Sequence, residues 1–201
     1  SNYFKKIHTA EVNFLIFFLL FSIISFSYFF MLSPGYDAGL YHLNHQQWIH
    51  DHKILFGLSN VHYRYGFSSL QEYIAGPLWN LNYLGGIKFP NLFFFSSYLL
   101  FIFTLFFSTY LYRTMIGAVL IIFLMFKAFG NPSFLIDDYS YVDASTAIVI
   151  IFSVSIMFLS MLEKYYSKLL FFIISSLLIF AIAMKANAIL CIIFYIFYLF
   201  Y

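Results

Sequence analysis

Early in the chain, two short stretches carry side chains able to do acid–base or phosphate chemistry. The first is Tyr36-Asp37-Ala38-Gly39-Leu40-Tyr41-His42, and the second runs Gly57-Leu58-Ser59-Asn60-Val61-His62-Tyr63-Arg64-Tyr65-Gly66-Phe67. A carboxylate such as Asp37 can take a proton from a hydroxyl nucleophile, or it can serve as a plain helix N-cap. Arg64, between glycines, suits an anion clamp, since a guanidinium pairs with phosphate in a fixed fork; it also suits a side chain that snorkels to lipid phosphate. His42 and His45 are three apart, a spacing that on a helix allows two imidazoles to share zinc, but no third ligand stands at motif spacing. Farther along, Asp143 and Lys185 are isolated charges in apolar surroundings.

The elements that position these residues follow from composition. Of 201 residues, 63% are apolar, 25% aromatic and 9% charged, against about 25% charged in soluble domains. Mean hydropathy is +0.88. So few charges cannot cover the surface of a water-soluble domain, and the reading is an all-α, polytopic transmembrane helix bundle. A net charge of +2 with no basic cluster gives no footing for nucleic acid. Cys191 is the single cysteine, so no disulfide framework forms within the chain. Starting at Ser1 without Met and stopping at Tyr201 inside an apolar run, the sequence reads as the N-terminal part of a longer membrane protein.

A crossing helix needs about 20 apolar residues. Spans are expected at about 13–32, 92–112, 114–129, 144–162, 169–184 and 186–201, the last two meeting near Lys185. The first is too long for the apolar core of a signal peptide. Lys5, Lys6, Arg113, Lys164 and Lys168 then fall on one side, which the positive-inside rule makes the cytoplasm. The opposite side receives the loop 33–91, residues 130–143 and the Lys185 turn. Six of the eight acids (Asp37, Asp51, Glu72, Asp137, Asp138, Asp143) and five of the six histidines fall there. The N-terminus is accordingly placed in the cytoplasm, and the chemistry on the extracytoplasmic face.

The outer loop 33–91 is long enough to hold structure of its own. Asp37 can cap a helix from Ala38. On it, Asp37, Tyr41, His45, Trp48 and His52 share an arc of roughly 80°, flanked by His42 and Ile49. The pattern is that of an interfacial amphipathic helix. A second helix is expected over 68–83, bent or broken at Gly76-Pro77.

The two motifs, Asp-x-Gly-Leu-Tyr-His and Gly-Leu-x-Asn-x-His-x-Arg-x-Gly-Phe, resemble those of a group of uncharacterised bacterial polytopic membrane proteins placed near the GT-C glycosyltransferases. Asp143 matches an acid in that group's next outer loop, and Lys185 a lysine late in its chain. At Asn187 the sequence departs from the group's Lys-x-Ser. The resemblance implies a GT-C-like bundle in the bacterial inner membrane. It further implies transfer of a sugar from a polyprenyl-phosphate donor to an acceptor on the extracytoplasmic face.

In that scheme Asp37 is the catalytic base. Asp143 supports it or positions a divalent cation (magnesium or manganese); the lack of paired acids at Asp37 leaves metal use open. Arg64 and Lys185 bind the lipid phosphate, and Tyr41, His42, Asn60 and His62 complete the substrate site. A lysine within a membrane costs about 2.5–3.5 kcal/mol on insertion scales, so Lys185 is expected to pair or to line a wet cavity. A lipid-linked glycan polymerase or flippase of the envelope is the alternative, and a transporter a further one. The partners implied are the lipid-linked donor and membrane lipids.

Overall fold

The computed structural model describes residues 19, 23, 38–52, 56–61, 63–66, 69–79, 85–106, 108–130 and 142–200. The chain divides into two compact units, Ser1–Leu32 and Ser33–Tyr201. Of the first, Leu19 and Ile23 are described, both helical and exposed. The rest of the expected first span lies outside the described residues, as do Asp37, His62, Asp137 and Asp138.

No strand occurs among the described residues. The second unit opens with a π-helical turn, Ala38–His42, running directly into α1 (Leu43–His52). After α2 (Leu58–Val61) and a 3-10 turn (Tyr63–Gly66) comes α3 (Leu70–Ala75). Ser69 caps α3 by accepting from the Gln71 N–H at 3.2 Å, the usual role of a serine at that position. Before Pro77, α3 tightens into a 3-10 turn, Gly76–Leu78.

Four long helices then alternate in direction: α4 (Gly85–Phe106), α5 (Leu111–Gly130), α6 (Val142–Glu163) and α7 (Lys168–Met184). The first of these starts at Gly85 rather than near 92. Pro90 is the sixth residue of α4, inside the helix, where its missing N–H leaves the carbonyl four residues back without its helical donor. At Lys185 the backbone turns extended (φ −148°, ψ 120°), ending α7 where the apolar run was expected to split. A 3-10 segment (Ala186–Cys191) and α8 (Ile192–Phe200) follow.

Packing explains the order. Gly117 of α5 sits against the end of α4, where an added Cβ would lie 3.0 Å from the Phe106 nitrogen. Tyr98 and Ile102 of α4 pack on Ile148 of α6. Val149 of α6 packs on Ala181 and Met184 of α7, while Met157 meets Ile174, Leu178 and Tyr198 of α8. At one end of the bundle Arg113 forks onto Glu163, Nε to Oε1 at 2.7 Å and Nη2 to Oε2 at 2.6 Å. Tyr112 adds its hydroxyl to Oε1 at 3.1 Å.

Two described helical stretches, Phe89–Phe106 and Ser145–Glu163, are long and apolar enough to cross a membrane. Only 28% of the first and 50% of the second is buried inside the protein. Much of their apolar surface is therefore exposed among the described residues, in keeping with membrane association. The stretches Leu111–Phe123, Lys168–Met184 and Ala186–Phe200 are apolar but shorter.

Candidate functional site

Histidine is a donor or an acceptor at each ring nitrogen according to its tautomer, whereas an ionised carboxylate only accepts. That asymmetry sets the chemistry where α1 meets α3. Glu72 of α3 accepts from two imidazoles, His42 Nδ1 on Oε1 at 2.5 Å and His45 Nδ1 on Oε2 at 2.8 Å. Because the ionised carboxylate only accepts, the Nδ1 of each ring carries the hydrogen it shares with Glu72. The spacing of three places both rings on one side of the helical turn, and α3 crosses that side with its lone acid.

Glu72 and His45 are each 4% exposed. Removing a carboxylate from water costs several kcal/mol unless it is paired, and the two imidazoles meet that need. Burial, the largest influence, pushes the Glu72 carboxyl up; hydrogen bonds from His42 and His45, with the attraction of both rings, outweigh it and hold Glu72 below its ordinary value of 4.5. Aromatic rings enclose the pair. Tyr65 lies 5.9 Å from the His45 ring and Tyr73 meets it edge-on at 6.1 Å. Trp48 packs on Tyr65 at 5.0 Å, and Tyr41 lies 4.1 Å from the His42 ring.

A second polar group ties α3 to the long helices. Gln71 Nε2 donates to Asn91 Oδ1 of α4, and Ser145 Oγ of α6 donates to the same oxygen at 2.5 Å. Neighbouring side chains thus fix α3 from both sides, Gln71 toward the bundle and Glu72 toward α1. Gln46 Oε1 and Gln71 Oε1 are buried acceptors without a donor among the described residues.

Of the residues expected from sequence, His42 and Tyr41 are in the cluster. Lys185 is half-buried at the end of α7, beside Met184, which packs on Val149 near the start of α6. It therefore occupies the cluster's end of the bundle, away from Arg113. Asp143 lies in the first turn of α6 at that same end, and its side chain is outside the described residues. The backbone of Arg64 belongs to the turn whose Tyr65 packs on His45, and its side chain is likewise outside. Asn60 is exposed on α2, its N–H donating to the Gly57 carbonyl at 2.9 Å, and the described hydrogen bonds of Glu72 go to His42 and His45 instead.

Glu72 is a site residue that neither motif nor spacing singled out, whereas His45 was marked by its zinc spacing from His42 and by the aromatic helix face. The available signal was composition: between Asp51 and Asp137 the chain has one acid, Glu72. The zinc spacing of His42 and His45 serves a carboxylate instead. Among the described residues no group of three or more His, Cys, Asp or Glu side chains could hold a metal ion.

Over residues 1–201 the sequence matches the family described as a domain of unknown function (DUF8201). The chain belongs to that family. No curated protein and no solved structure matches it. Membership assigns no reaction, so the chemistry of this DUF8201 chain has to be argued from its own residues.

Proposed function

We propose that this chain is a polytopic membrane glycosyltransferase, moving a sugar from a polyprenyl-phosphate donor to a hydroxyl acceptor on the extracytoplasmic face of the bacterial inner membrane. The observation that carries the reading is the buried Glu72 carboxylate with its two imidazoles, built at the end of an apolar helical bundle opposite the Arg113–Glu163 fork. Lys164 and Lys168 lie at the fork's end, and the positive-inside rule would put that end in the cytoplasm. A polar site at the other end would meet a lipid headgroup where hydrocarbon gives way to water. The buried acceptors on Gln46 and Gln71 suit hydroxyl-bearing groups once the site opens.

In this scheme the acceptor oxygen attacks the anomeric carbon and its proton passes to Asp37, the residue preceding the π-helical turn that ends at His42. The bond from the anomeric carbon to the phosphate oxygen breaks, and the electron pair leaves with the lipid phosphate. Arg64 and Lys185 balance the charge that develops there. Glu72 and His45 are positioning residues, holding His42 in one tautomer and one orientation. Asp143 would support Asp37 or position a divalent cation.

The test is transfer of radiolabelled sugar from polyprenyl phosphate by the full chain in proteoliposomes. Asp37→Asn should lower turnover by about 10²–10⁴-fold, the usual worth of a positioned base. Glu72→Gln should lower it about 10–100-fold, by analogy with the carboxylates that orient metal-bound histidines. Equal turnover in Asp37→Asn would remove the base, and no transfer from any such donor would remove the reading.

One observation favours a transporter instead, since transporters place broken helices at their sites. The break at Lys185, however, follows 17 residues of α7, about 25 Å of rise. In the proposed topology that depth would be near a membrane surface rather than the midplane, as an interfacial enzyme requires.

A further inference from the structure

Helix α3 is short and two-sided. Residues 72 and 74 are separated by about 200° around a helix axis, so Glu72 faces the imidazoles while Ile74 turns outward and is exposed. On Ile74's side the protein has an open groove of about 490 Å³ between α3, α4 and α7. Its walls are Ile74, Phe89, Pro90, Phe93, Leu177 and Phe180, with Ser176 the one polar side chain in the lining. Pro90 has no N–H, so the helix backbone presents no donor there either. The volume is that of a small-molecule site. Phe89 and Phe93 belong to a helix able to cross a membrane, which would give the groove's mouth to hydrocarbon.

We propose that this groove seats the hydrocarbon tail of the lipid-linked substrate whose headgroup occupies the Glu72 site. The inference rests on the glycosyl-transfer reading for the identity of the headgroup. The occupant is fixed by continuity: one helix carries a buried ionisable face and an apolar groove wall about 10 Å apart, the width of a helix. An amphiphile with its headgroup at the polar end of the bundle would lay its tail along the apolar wall. A peptide would bring a row of N–H and C=O groups into a groove whose one polar side chain is Ser176, and each group left unpaired costs several kcal/mol.

The experiment is photo-crosslinking of the full chain in phosphatidylcholine vesicles, with a diazirine on the tail of either polyprenyl phosphate or phosphatidylcholine. Adducts of the polyprenyl probe should map to residues 74, 89–94 and 176–180, and unlabelled polyprenyl phosphate should compete them away. Ile74→Trp with Ser176→Trp, both at exposed positions, should fill the groove and reduce those adducts on the order of tenfold. The competition in unaltered protein decides the matter even if that double variant misfolds. Equal, uncompeted labelling by both lipids, or polyprenyl adducts elsewhere on the bundle, would overturn the groove. Groove labelling without any sugar transfer would keep the groove and sink the transferase; transfer with adducts elsewhere would do the reverse.

Discussion

Glu72 carries more of the candidate site than any other side chain, because two imidazoles take their tautomer from it and it would be an uncompensated buried charge without them. Its pH dependence follows from the direction of its shift. A carboxyl held below 4.5 in the folded chain binds protons less readily there than when unfolded. Stability from this group is thus present above about pH 4.5 and lost as pH falls through the folded value. His42 and His45 are the ionisable partners that face it. The thermal midpoint of the detergent-solubilised chain should fall as pH drops below about 4.5, and Glu72→Gln should flatten that limb. The same variant should cost about 1–3 kcal/mol near neutral pH by weakening two charge-assisted hydrogen bonds. An unchanged acid limb in Glu72→Gln would show that other carboxylates govern it. None of this could be read along the chain, since Glu72 is 27 and 30 residues from its partners and looks like an ordinary first-turn acid of a short helix.

At the scale of elements, the site exists because α1 and α3 approach closely, and Gly76 permits it. A Cβ there would lie 2.7 Å from Ile49 Cγ2, 3.0 Å from Ile49 Cβ and 3.3 Å from the Gln46 carbonyl oxygen. Ile49 is β-branched and stiff at χ1, so it cannot swing clear. Gly76→Ala should therefore destabilise the chain by about 1–3 kcal/mol, the usual cost of overpacking. It should also loosen the His42–Glu72 contact, seen as faster hydrogen exchange across residues 43–52. Retained stability and protection would mean the two helices are not tightly docked. Much at this scale was legible in the sequence. Apolar runs marked α4 to α7, Gly76-Pro77 marked the tightening of α3, and Lys185 marked the break after α7. These are local signals, in which backbone chemistry or hydrophobic run length acts directly. Less visible were the π-helical turn at Ala38–His42, which no local pattern marks, and the start of α4 at Gly85, since Lys88 and Pro90 precede the apolar run from which the span is counted. The straight-helix arc also put His52 beside His45, yet His52 is exposed and His42 reaches the carboxylate.

For the molecule as a whole, the proposed chemistry requires the two ends of the bundle to lie on opposite sides of a membrane. Helix α6 links them: Ser145 near its start joins Asn91 and so α3, while Glu163 at its end joins Arg113. Its 22 residues rise about 33 Å, enough for a hydrocarbon core of about 30 Å. With Cys191 replaced by serine, single cysteines can be placed at Gln47 on α1 and at Tyr165 in the turn after α6, both exposed. On intact cells with a permeable outer envelope, a membrane-impermeant maleimide should label Gln47→Cys and spare Tyr165→Cys. Disrupting the inner membrane should make the two react alike. The expectation rests on the short connections between the long helices, since Arg113, Lys164 and Lys168 lie together at the Tyr165 end and resist translocation. Labelling of Tyr165→Cys alone would invert the bundle and put the Glu72 cluster in the cytoplasm. A donor sugar carried on the outer leaflet could not then reach the imidazoles, and the polar end would have to serve a cytoplasmic lipid substrate.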